Sequence, residues 1–250
     1  YTEGRRVVKK QELFSDELSK LYATVGDVDN GIREVVANYS RYGQLQNAQG
    51  RISALLVSDS AIDGIRFYLM NEYEERSADL AFMRLYEWFL REIHKADEAC
   101  SIVENLDARL KANGRELVNF AETMRAEGNY GVAMRAFSRV IRMGTTSDMA
   151  QYAAFGYASC VEATSTEDTS SSAHRDVIAL YENIVRDYPR TSTAADALLH
   201  IANLRERNSD PLDQIIDVYQ SLRKNFVGLP QSVRATVALA KIKLMNDSAQ

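Results

Sequence analysis

Apolar residues recur along this chain at helical spacing and in a long register. Leu117, Phe120, Ala121 and Met124 fall at i, i+3, i+4 and i+7, one face of an amphipathic helix. Gly128-Asn129 interrupts that face, since glycine takes the positive φ of a tight helix–helix turn, and Tyr130, Ala133, Phe137 and Val140 resume it on a second helix. Shifting the sequence by 34 residues brings like residues into columns: Leu18, Ile52, Tyr86 and Phe120; Tyr22, Leu56, Leu90 and Met124; Gly31, Ile65, Ala99 and Ala133; Val35, Leu69, Val103 and Phe137. The turn column reads Gly26, Ser60, His94 and Gly128. Such a period marks a repeat array, because one helix pair buries too little apolar surface to offset its chain entropy and must stack on neighbours.

Beyond residue 147 the period loosens and the unit persists. Met149–Ala163 reads as a first helix with Phe155, Gly156 and Ser159, and His174–Tyr188 as its partner through Val177, Tyr181, Ile184 and Val185. Phe137 and Tyr181 stand 44 residues apart rather than 34, a surplus absorbed by the polar run Thr164–Ser172, expected to be a mobile surface loop. A sixth pair follows, Ala194–Arg207 and a helix entered at Pro211 after Asp210, and then a terminal helix over 230–247. With no linker in view, 1–250 reads as one domain, its repeats degenerate over about 7–111 and clearer over about 114–226.

Residues Leu117, Phe120, Ala121, Met124, Gly128, Tyr130, Ala133, Phe137 and Val140 resemble the tetratricopeptide (TPR) repeat signature, and Asp187-Tyr188-Pro189 is similar to the proline-terminated end of such a unit. The match is good over 114–147, moderate over 174–189 and degenerate before that: Glu87 stands at a small-residue position, and Asn38 and Glu72 replace apolar residues of second helices. The resemblance implies an all-α fold, a right-handed α-α superhelix (a TPR-like solenoid) of about six helix-turn-helix units plus a terminal helix. It also implies an inner face built from first helices. Transferred onto this register, the inner positions are Asp16 and Lys20, Arg51 and Ala54, Arg84, Trp88 and Arg91, and Val118, Glu122 and Arg125. The single tryptophan thus falls between two arginines, the residue types that most often dominate interfaces. Arg84, Trp88, Arg91, Glu122 and Arg125 are the candidate peptide-binding residues; the alternative for the Arg84/Trp88/Arg91 stripe is that Trp88 packs against the neighbouring repeat and the arginines form surface ion pairs. The Lys/Asn pattern of TPR proteins that clamp a C-terminal carboxylate is missing, with Asp16/Lys20 and Gly50/Ala54 in its place.

Composition narrows the function. A net charge of −5, from 35 acidic and 30 basic side chains, disfavours a nucleic-acid partner. No apolar run approaches the ~18–20 residues of a membrane span. Two cysteines make no disulfide framework, and all three prolines lie at or beyond Pro189. His94 and Cys100 are not on one helical face, which weakens a nucleophile–base reading. His174 and His200 stand alone, outside any metal-binding spacing, and Cys160 reads as a small buried residue. Phosphate-binding glycine loops are absent, and the carboxylates are spread over helix surfaces.

The expectation is a non-enzymatic scaffold without cofactor or metal, binding a protein or peptide partner in its groove, with self-association through terminal helices a variant. The alternative is a structural segment of a larger repeat protein, consistent with Tyr rather than Met at position 1 and with an uncapped final helix. Nothing in the sequence fixes a compartment.

Overall fold

A computed structural model of the chain describes residues 1–8, 13–76, 78–144, 149–165 and 171–248. Their regular structure is entirely helical, fourteen helices in all, most of them in successive pairs. The chain divides into two compact units, Tyr1–Leu110 and Lys111–Gln250.

The first unit holds α1 (Thr2–Val8) and three pairs: α2 (Ser15–Val25) with α3 (Val28–Tyr42), α4 (Leu45–Ser53) with α5 (Asp59–Glu75), and α6 (Leu80–Glu92) with α7 (Ala96–Leu110). Its core takes in most of the predicted columns: Ile52, Ile65, Leu69, Leu90 and Ala99 are all essentially inaccessible to solvent. The buried Tyr39 ties one pair to a later one by donating its hydroxyl hydrogen to the Ala81 carbonyl at the start of α6, 2.8 Å away. The second unit holds α8 (Arg115–Ala126) with α9 (Tyr130–Arg142), α10 (Ala150–Thr164) with α11 (Ser171–Asp187), α12 (Ser192–Arg207) with α13 (Leu212–Asn225), and the terminal α14 (Pro230–Ser248). Here each helix packs on the next, and α8, α10, α12 and α14 also touch in succession. Contact of neighbours and next-but-one neighbours is what stacked hairpins produce.

The turn column has a common backbone. Gly26, His94 and Gly128 all have positive φ, at 75°, 59° and 78°. Around His94 its own N–H reaches the Arg91 carbonyl (3.0 Å) and Lys95 N–H reaches Leu90 (2.7 Å). Gly26/Asp27, Gly128/Asn129 and Ser209/Asp210 make the same two bonds. This pattern satisfies the carbonyls left open at a helix C-terminus, and it needs a left-handed residue at its pivot. A side chain there is strained, so His94→Gly is expected to raise stability by about 1 kcal/mol in urea denaturation.

The second pair departs from the expected register. α4 ends at Ser53, so Ala54 is its C-cap and Leu56 lies in the connection, while Ser60 sits within α5 rather than in a turn. Two local effects shorten α4: Leu55 N–H closes a tight turn onto Ile52 (2.8 Å), and Ser58 Oγ accepts the Ala61 N–H (3.2 Å) to cap α5 early. Leu55, not Leu56, is the buried residue, and it lies against Gly31. α1 is a further helix that apolar spacing did not indicate. Arg5 holds it, donating both terminal nitrogens to the Glu34 carboxylate at 2.6 Å and its Nε to the Leu13 carbonyl.

Of the polar run Thr164–Ser172, Thr164 closes α10 and Ser171 already opens α11; its centre, and with it the expected loop, lies outside the described residues.

Candidate functional site

Helical spacing sets the polar face of the second unit. Ser159 and Glu162 are three apart on α10, and His200 and Arg207 seven apart on α12, so each pair shares one side of its helix. Glu162 joins the two helices. Its Oε2 accepts the Tyr181 hydroxyl from α11 (2.8 Å) and His200 Nδ1 (3.0 Å), while its Oε1 accepts Arg207. A carboxylate only accepts, so Nδ1 carries the imidazole proton. Ser159 Oγ lies 3.3 Å from the Tyr181 hydroxyl, and the Phe155, Tyr181 and His200 rings pack with centroids 5.1–5.6 Å apart.

The electrostatics follow from burial and these bonds. Burial alone would raise the Glu162 pKa, but hydrogen bonds from His200, Tyr181 and Arg207 outweigh it and hold the carboxyl at about 2. Burial pushes the Tyr181 hydroxyl well above its ordinary range. On α8, Arg125 donates to Glu122 at 2.6 Å, and this bond raises the arginine's pKa further. The Arg125 charge also reaches the Cys160 thiol and the Tyr181 hydroxyl, lowering both against the larger effect of burial. Arg125 and Glu122, then Ser159 and Glu162, then His200 and Arg207 form a polar line across three successive first helices. Both Glu162 oxygens are occupied, and His200 and Arg207, which occupy them with Tyr181, are themselves partly exposed.

The candidate residues named from sequence fall in both units. Arg84, Trp88 and Arg91 lie at i, i+4 and i+7 of α6 in the first, where Arg84 is exposed and Trp88 and Arg91 are half-buried. Arg91 Nε donates to Glu87 Oε1 at 2.6 Å, so the glutamate at the small-residue position anchors one of the two arginines. Glu122 and Arg125 lie on α8 in the second. The residues expected on the inner face of the first two pairs contact one another: Asp16 takes Lys20 Nζ at 2.7 Å and Arg51 at 3.0 Å, and these hold its pKa below the ordinary carboxylate value.

His200 is not solitary, contrary to the sequence reading. Its partners are 19 and 38 residues away on other helices, beyond any local spacing rule. His174 likewise meets a partner, Asp210 Oδ2, at 3.4 Å. Cys160 is a buried free thiol whose pKa burial pushes up to about 11, which makes it a poor nucleophile. Glu162 and Arg207 went unnoticed in the sequence, although Arg125, Glu162 and His200 recur at 37 and 38, close to the repeat length. Among the described residues no group of three or more His, Cys, Asp or Glu side chains is placed to hold a metal ion, and no helix is long and apolar enough to cross a membrane.

No protein-family model and no curated protein matches the sequence. Solved structures resemble it in fold. Yeast Tom70 is similar at 10% identity and a TM-score of 0.46, covering 98% of this chain and 58% of its own. YrrB, described as a TPR protein with an unusual peptide-binding site, is similar at 10% identity and 0.42, covering 94% of this chain and 96% of its own. MamA is similar at 12% identity and 0.42, covering 73% of this chain and 92% of its own.

Proposed function

We propose that the chain is a non-catalytic protein-interaction scaffold that holds an extended peptide or a partner helix against the inner faces of its first helices. The observation that supports this most is the direct contact between successive first helices, α8 to α10 to α12 and α4 to α6. Side chains they do not use for packing form continuous strips, long enough to read several residues of an extended ligand. The binding residues in this reading are Arg84, Trp88 and Arg91 on one strip and Glu122 and Arg125 on the other. A half-buried tryptophan contributes area at small entropic cost, and arginine adds directed hydrogen bonds.

The test is partner capture by immobilised protein, comparing wild type with Arg84→Glu/Trp88→Ala and with Arg125→Glu, each verified as folded by circular dichroism. Loss of at least tenfold in captured partner is expected for the strip that binds. Undiminished capture by both folded variants would retire the strips as the binding surface.

A further inference from the structure

The second helix α5 carries an aromatic ring on the side turned away from its core. Ala61, Ile65 and Leu69 are buried, and Asp63, Phe67 and Glu74 share the opposite side of the helix. Phe67 is 63% exposed, and Met70 beside it is half-buried. α5 is an interior element of its unit. Arg33 of α3 lies over the Tyr68 ring at 5.2 Å on one side, and on the other Arg66 and Tyr73 reach Glu98 and Asn105 of α7 at 2.8 and 3.1 Å. Helices thus flank α5 on both sides, and the Phe67 ring is still uncovered.

A second observation falls one turn away. Gly64 stands inside this 17-residue helix, where glycine costs stability relative to alanine. Crowding in the fold does not demand it: a β-carbon there would meet only Asp29 Oδ1, at 3.8 Å, an ordinary contact. At Gly31, by contrast, a β-carbon would stand 2.8 Å from a Leu55 methyl. A missing side chain on an open helix face lets another helix come close, here beside Phe67.

Charge selects the occupant. α5 has five acidic residues and one basic, Arg66, which Glu98 holds. Arg33 and Arg76 are engaged as well, with the Tyr68 ring and with Glu72. Asp63 and Glu74, to either side of the ring along the helix, are exposed and in no salt bridge among the described residues. A second copy of α5 would set carboxylate against carboxylate, which costs free energy, whereas lysine or arginine beside an apolar residue would pair with them.

We propose that the outer face of α5 docks an amphipathic helix of a partner protein whose apolar stripe is edged by lysine or arginine. The partner backbone crosses at Gly64, its apolar residues cover Phe67 and Met70, and its cations meet Asp63 and Glu74. This surface belongs to a second helix and is separate from the first-helix strips described above.

The probe is a displayed library of amphipathic helices with a fixed apolar stripe and randomised edges, depleted on the Phe67→Asp variant and then selected on the wild-type chain. Enrichment of Lys and Arg at the edges is expected. Recovered helices should bind Asp63→Lys/Glu74→Lys at least tenfold more weakly, with each variant verified as folded by circular dichroism. Gly64→Gln should cost binding at least tenfold while its urea midpoint stays at or above that of wild type, because a better helix former enters open space. No clones after depletion, neutral or acidic edges, undiminished binding by either folded variant, or a lowered midpoint for Gly64→Gln would each overturn the proposal. So would concentration-dependent self-association by sedimentation that Phe67→Asp abolishes, because the occupant would then be a second copy.

Discussion

Phe137→Ala is expected to destabilise the second unit by about 3–5 kcal/mol, the largest single effect in the chain. The ring is fully buried in the helix with the most regular apolar face, and it is covered by the backbone of the following first helix. A β-carbon built on Gly156 would stand 2.3 Å from the Phe137 Cζ and 2.7 Å from two further ring carbons. The glycine is therefore the floor on which the ring lies, and α9 packs closely against α10 because of it. The same geometry predicts a cost for Gly156→Ala, about 1–3 kcal/mol from overpacking, even though alanine is the better helix former. The two sites are in contact and must couple. Pairing Gly156→Ala with Phe137→Leu should recover at least ~0.5 kcal/mol relative to the sum of the single changes, measured by chemical denaturation. Strict additivity would mean that the ring does not lie on the α10 backbone.

The second large effect is pH dependence centred on Glu162. Its folded pKa, about 2, lies below the ordinary value of 4.5. A depressed carboxylate stabilises the native state fully above its unfolded pKa, and that contribution is lost as pH falls through the folded pKa. The window is therefore roughly pH 5 down to 2, and the amount at stake is of order 2–3 kcal/mol for this mostly buried side chain. Thermal unfolding followed across that range should show a declining midpoint in wild type and a shallower decline in Glu162→Gln. At pH 7 the glutamine variant should itself be weaker, because a neutral amide replaces charge-assisted bonds to His200 and Arg207. Equal slopes in the two proteins would assign the acid sensitivity elsewhere.

The pairs built on a strict 34-residue spacing were readable from residue types alone, because each column has a physical requirement. Ala99 and Ala133 are small where helices meet, and the pivot at 26, 94 and 128 must adopt positive φ. The second pair was misread because its geometry is settled by a serine cap and a tight turn, not by apolar period. A one-residue shift from Leu56 to Leu55 follows from those two hydrogen bonds. α1 left no apolar signal, since an arginine–carboxylate pair holds it. The Glu162 cluster was hidden for a different reason. Three helices contribute to it at separations of 19 and 38 residues, and no period within one helix connects them. Arg91 and Arg125 lie on α6 and α8, and their intrahelical ion pairs with Glu87 and Glu122 became visible only in three dimensions.

Stacked hairpins ordinarily let an array come apart one layer at a time, from whichever end is weaker. Glu162 works against that, because it is fastened at once to its own hairpin through Tyr181 and to the next through His200 and Arg207. Amide protons of α10, α11 and α12 should consequently exchange with a shared protection and a shared response to denaturant, melting as one block whose edges do not coincide with any repeat boundary.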